Sequence, residues 1–171
     1  MEDDSMTDPT TYPLHVLAQL EEIRAETLQR LEGLTEEQLD WRPPAGDDSE
    51  EWSLGEVFMH LAIDEIYLRE LLARPLLEGV KPPDGVRFLP PPPPRGTPKA
   101  VIGFWFQRAR AETRRYLEKW PADADLQLAH DGGFGPLTGL EWLEGYGGHE
   151  AFHHQQIDCL IEQVSRGTDD R

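Results

Sequence analysis

The chain has 171 residues, 38% hydrophobic, 9% aromatic and 29% charged, which suits one folded domain and excludes the disordered and membrane-spanning classes. Its 33 acidic residues against 16 basic ones give a formal charge of -17, and no basic run offers a dock for a phosphate backbone, so no nucleic-acid partner is expected. Anionic membranes are disfavoured for the same reason, and no apolar stretch approaches the roughly 20 residues that cross a bilayer.

Residues 1–11 carry Glu2, Asp3, Asp4 and Asp8 and lack the basic and apolar parts of a signal peptide. They read as a disordered tail before a single domain over residues 12–166, with a short tail at 167–171, and a cytoplasmic location is expected. Cys159 is the single cysteine and cannot form an internal disulfide, in keeping with a reducing compartment.

Leu17, Leu20, Ile23, Leu28 and Leu31 recur at helical spacing, which predicts a first helix over about 12–32, ended by Gly33. Thr35 to Gln38 has capping-box chemistry, Trp41-Arg42-Pro43-Pro44 stops any helix, and residues 46–51 read as an acidic loop. Ser53 and Glu56 cap a second helix whose face holds Leu54, Val57, Leu61, Glu65, Leu68 and Leu72, with Pro75 marking an end or a kink. From Lys81 to Pro98 the prolines, Pro90 to Pro94 among them, require an extended segment. It reads as a stiff strap crossing the molecule, the alternative being a ligand for a proline-binding partner.

Thr97-Pro98 predicts the start of a third helix with Ile102, Trp105, Phe106, Ala109, Thr113, Tyr116, Leu117 and Trp120 on one face, closed by Pro121. Residues 122–136 read as loop, and Thr138 with Glu141 caps a fourth helix running to about Ser165 and ended by Gly167. No strand pattern or repeat is evident. The fold class is therefore all-α, a four-helix bundle with a long crossover, residues 82–98 at its centre, between the second and third helices.

The fourth-helix stripe is Leu143, Tyr146, His149, His153, Ile157, Leu160 and Val164, so two imidazoles one turn apart are expected to face the core. Each buried ring has two nitrogens to satisfy, and a shared metal serves one nitrogen of each. Such a pair is also common as a structural or surface feature. His60, at the edge of the second helix's stripe, is as a lone histidine more often a hydrogen-bonded core residue, the alternative being a third ligand. As a ligand set the three would leave a coordination position open for water or substrate. Asp64, one turn after His60, reads as a solvated helical charge or as a carboxylate that orients a ligand. His154 is rotated about a hundred degrees from His153 and flanks the pair, while His15 and His130 belong to no motif.

The run Leu34-Thr35-Glu36-Glu37-Gln38-Leu39-Asp40-Trp41-Arg42-Pro43-Pro44, then Trp52-Ser53-Leu54-Gly55-Glu56-Val57 leading into His60-Leu61-Ala62, resembles the first half of a DinB-like domain. The run His149-Glu150-Ala151-Phe152-His153-His154-Gln155-Gln156-Ile157 resembles its last helix. The resemblance implies a bundle that binds one divalent metal through His60, His149 and His153, with zinc, nickel, iron and copper all suited to three imidazoles. The five-proline run is unusual for that pattern and limits what relatives say about substrate. Relatives of this fold include transferases and isomerases that use bacillithiol, mycothiol or glutathione, so the resemblance implies a thiol as cosubstrate and a small electrophile as substrate. A metal-dependent hydrolase and a stress-associated metal-binding protein without turnover are the alternatives. A homodimer is expected, as relatives commonly pair.

Overall fold

In the computed structural model the helical stripes become α1 (Tyr12–Glu32), α2 (Glu36–Asp40), α3 (Leu54–Leu68), α4 (Arg74–Leu77), α5 (Lys99–Glu118) and α6 (Gly139–Asp169). The structure describes residues 12–43, 52–119 and 123–169, with side chains as far as 166. The tail at 1–11, the acidic loop at 46–51 and Trp120 lie outside these residues.

Local chemistry sets the helix starts. Thr35 and Gln38 close the expected capping box on α2, the Gln38 N–H donating to Thr35 Oγ1 at 3.2 Å and the Thr35 N–H to Gln38 Oε1 at 2.9 Å. Ser53 and Glu56 do the same for α3. The expected start of α5 shifts by one residue: Pro98 is the N-cap, and the Thr97 hydroxyl donates instead to the Pro94 carbonyl at 3.3 Å. The first free N–H of α5, on Lys99, donates to the Glu36 carboxylate at 3.0 and 3.1 Å. A cap supplied from α2 across the fold leaves no local signature.

Of the two alternatives at Pro75, an end or a kink, the end is excluded: a π-helical turn, Arg69–Ala73, leads into α4, with the Arg74 N–H donating to the Arg69 carbonyl, so Pro75 sits in a continuing helix. Two further expectations need correction. The fourth helix runs through Gly167 to Asp169, since one glycine costs a helix only about 1 kcal/mol. Residues 122–136 are not all loop. Ala129–Asp131 (β1) and Pro136–Thr138 (β2) pair antiparallel with His130 opposite Leu137, and strands this short carry no readable alternation. Asp131 Oδ1 accepts the N–H groups of Gly133 and Gly135 and closes the turn between them, where both glycines hold positive φ.

The hairpin anchors the proline-rich segment. His130 Nε2 donates to the Val86 carbonyl at 2.7 Å, and the Phe88 N–H donates to the Gly132 carbonyl at 2.9 Å. A Cβ on Gly132 would stand 2.7 Å from the Trp142 ring, so the close approach of this turn to α6 requires glycine.

Helix α1 packs on α5 and α6, and α3 packs on the same two helices. Their apolar side chains form two clusters. Leu31, Phe58, Leu61, Phe106 and Ile157 belong to one, and Leu17, Leu20, Leu72, Leu117 and Leu143 to the other. Along the chain α1 and α6 pass from the second cluster to the first, while α3 and α5 pass the opposite way. Between the clusters each helix contributes a buried charge: Arg24, Glu65, Arg110 and Glu150.

Candidate metal centre

The histidines stand at the level of that charged layer. His60 lies on α3 five residues before Glu65, and His149 and His153 bracket Glu150 on α6. The two helices bring one nitrogen of each ring within 4.8 Å of the others. His60 Nε2 is 3.2 Å from His149 Nε2, and the His153 ring centre is 5.0 Å from that of His60 and 4.5 Å from that of His149.

The expectation that both α6 imidazoles are buried holds for His153 and fails for His149, whose side chain is 39% exposed. Glu150 takes the interior position beside it, so His149 reaches the cluster from the rim. His153 Nδ1 donates to Gln156 Oε1 at 2.6 Å, which assigns the proton to that nitrogen and leaves Nε2 with a free lone pair. Burial, and then its neighbours His149 and His60, push the His153 pKa from 6.5 down to about 4. A neutral imidazole is the form that binds a metal.

Asp64 is not a solvated charge. It is buried, with Oδ1 3.2 Å from His60 Nδ1 and Oδ2 3.1 Å from His149 Nε2. Burial alone would raise its pKa, but His149 and His60 beside it hold the carboxyl below its usual value. Oδ1 nevertheless makes no hydrogen bond among the described residues. Converging imidazoles with a buried, anionic, partly unsatisfied carboxylate fit a divalent cation in both charge and donor type.

The flanking histidine has a separate task. His154 is buried, and its Nε2 lies 2.8 Å from Thr27 Oγ1, which itself donates to Glu150 Oε1 at 2.7 Å. It joins the charged layer and stays outside the cluster of three. His130 pins the proline segment, and His15 is exposed.

Sequence reasoning missed the layer itself. Arg24 donates to Glu150, Glu65, the Tyr146 hydroxyl and the Phe106 carbonyl, while Arg110 donates to Glu65, Glu150 and the Leu20 carbonyl. Burial opposes ionisation of Glu150, yet Arg24 and Arg110 outweigh it and hold the carboxyl below its usual range. The signal was present as charged residues on the apolar faces: Arg24 falls between Leu20 and Leu31, and Arg110 between Phe106 and Thr113. Glu65 reads on the face of the second helix, but leaving Arg24 and Arg110 out of the first and third stripes hides the layer.

Trp52 stands with its ring centre 4.7 Å from that of His60, and Phe152 lies exposed at 6.0 Å from His153. A surface cleft of about 470 Å³ beside the hairpin, lined by Lys81, Arg87, His130 and Asp131, touches none of the three histidines. Among the described residues no helix is long and apolar enough to cross a membrane.

The profile of the DinB superfamily matches residues 19–157, which take in all three histidines, and the chain belongs to that superfamily. No curated protein and no solved structure matches it.

Proposed function

We propose that the protein holds one divalent metal ion, zinc, nickel or iron, through His60, His149 and His153, and transfers a low-molecular-weight thiol to small electrophiles. The observation that carries this reading is the convergence of three imidazole nitrogens, from two helices, within 4.8 Å. When bound at a site with an open position, such an ion lowers the pKa of a thiol so that it reacts as a thiolate near neutral pH.

The chain's own residues hold and shape the site. Gln156 fixes the tautomer of His153 and leaves Nε2 as the nitrogen free to bind an ion. Trp52 packs against His60 and limits its rotation. Phe152, exposed next to His153, offers an apolar surface to an electrophile. No protein nucleophile is needed; Cys159, the one thiol, is exposed and accepts from Gln163 Nε2.

The opposed directions of the helices support the finer fold reading. With α1 and α6 running one way and α3 and α5 the other, the chain forms a four-helix bundle whose parallel α3–α5 step needs a long crossover, supplied by residues 78–98. Residues 12–166 form its single domain, working in the cytoplasm as a homodimer.

Elemental analysis of the purified protein, followed by conjugation of bacillithiol, mycothiol or glutathione to chlorodinitrobenzene, tests the proposal. We expect one metal per chain and thiol consumption that disappears in His149→Ala. Absence of stoichiometric metal rejects the whole reading. Metal without conjugation rejects the transferase and leaves a metal-binding protein without this turnover.

A further inference from the structure

We propose that the cleft between the π-helical turn and the end of α5 is a second binding site, one that takes a phosphate group, either free or as the head of a small ester. None of His60, His149 and His153 lines this cleft, so the inference does not depend on the metal centre.

Two stretches of chain build the cleft, which has a volume of about 340 Å³. Arg69 and Glu70 come from the π-helical turn and Arg74 from the start of α4, while Glu112, Arg115 and Lys119 follow one face of α5 at spacings of three and four. The turn aligns the first group. An α-helix of 3.6 residues per turn would set Arg69 and Arg74 about 140° apart around its axis. The bond from the Arg74 N–H to the Arg69 carbonyl widens the turn instead, and both arginines line the same cleft. Such turns are rare and gather at functional sites.

Charge identifies the ligand. Arg69 Nε lies 2.9 Å from Glu70 and its Nη2 2.8 Å from Glu112, and Arg74 Nη1 lies 2.9 Å from Glu70, so the two arginines and two glutamates balance. Arg115 and Lys119 are exposed, and neither pairs with a carboxylate among the described residues. The lining therefore carries two positive charges in excess, close to the roughly -1.5 to -2 of a phosphate monoester at pH 7. The dipole at a helix C-terminus favours cations, but α1 and α6 meet it with Arg30 and Arg166, both paired with carboxylates. At the end of α5 two cations stay unpaired, facing a third across a cleft. A guanidinium fork matches phosphate oxygens and an ammonium adds a point charge. Tyr116 supplies an aromatic wall for the organic part of an ester. Salt screens the chain's charge of -17 beyond about 8 Å, so the unpaired cations set the local field.

Calorimetric titration of the full chain with orthophosphate and with phenyl phosphate tests the assignment, on the wild type, Arg115→Ala, Lys119→Ala and Arg87→Ala. The last removes one positive charge away from the cleft. We expect the wild type to bind one anion saturably, Arg115→Ala and Lys119→Ala to bind about tenfold more weakly or worse, the loss of one charge-assisted hydrogen bond, and Arg87→Ala to match the wild type. Either order of the two probes supports the site: tighter phenyl phosphate assigns an ester, and tighter orthophosphate the free ion. A wild type that takes up neither probe overturns the proposal. Equal weakening in all three variants also overturns it, because the anion then responds to net charge alone. Amide chemical shifts followed through the titration locate the anion independently of any variant. Changes should fall on residues 69–74 and 112–119, and changes confined to the surroundings of His60, His149 and His153 overturn the proposal.

Discussion

Arg24 and Glu150 stand 126 residues apart in the chain and meet in its interior, Arg24 Nε donating to Glu150 Oε1 at 2.6 Å and Nη2 to Oε2 at 3.0 Å. Neither side chain has appreciable contact with water. Taking charges out of water is costly, and removing one partner strands the other, so Arg24→Ala or Glu150→Ala should each lower stability by about 3–5 kcal/mol. Joint replacement should cost less than the sum of the two, because neither charge is then left alone. Urea denaturation of the single and double variants measures both quantities, and simple additivity would count against a coupled pair.

The helices were legible because their apolar faces and caps are local features. Leu54, Val57, Leu61, Leu68 and Leu72 are all buried, and the boxes at Thr35 and Ser53 form as read. Features settled by tertiary partners were not legible. Glu36 capping α5, Arg24 and Arg110 inside the core, and His130 under the proline segment each owe their placement to residues far away in sequence. The candidate site lies between these cases. The spacing of His149 and His153 puts them on one helix face, but only packing against α3 brings His60 to 3.2 Å from His149 and buries Asp64 beside them.

Acid should destabilise the metal-free protein before its carboxylates titrate. In the fold, burial and the neighbouring His149 and His60 lower His153 from 6.5 to about 4, and burial followed by Arg30 lowers His154. Between those limits the unfolded chain binds protons that the native chain does not, so stability rises with pH. The contribution is fully present above pH 6.5 and is lost as pH falls through about 4. Denaturant melts of the chelated protein across this range should show that slope, and His153→Gln should flatten it. An equally steep slope in the variant would exclude His153 as its source.

Metal removal should lower the melting temperature. An ion bound by α3 and α6 in the native state alone adds about 2.7 kcal/mol at a hundred times its Kd, roughly 5–10 °C for a chain of this length. Scanning calorimetry before and after chelation, with removal verified by elemental analysis, checks this. Coincident curves would mean that the metal does not bridge the helices.

Exposed rings such as those of Phe104 and Phe134 are available to the proposed interface with a second copy. Light scattering at micromolar concentration should return about twice the chain mass. A monomer under those conditions rejects the homodimer.

The histidines should separate into two groups when each is replaced by alanine. His60, His149 and His153 offer nitrogens to one point, so losing any one removes a coordinate bond and should leave the ion weakly held. His154 lies next to His153 in sequence but is turned to α1, where it faces Thr27 at 2.8 Å. His154→Ala should therefore keep its metal and instead lose about 1 kcal/mol of stability, the ordinary worth of one buried hydrogen bond. Metal content and urea midpoints, read on the same four proteins, give two independent axes. His153→Ala must fall on the metal axis and His154→Ala on the stability axis alone. If His154→Ala empties the site while His149→Ala keeps full metal, the side of α6 that faces the ion has been misassigned, and the three-histidine site fails with it.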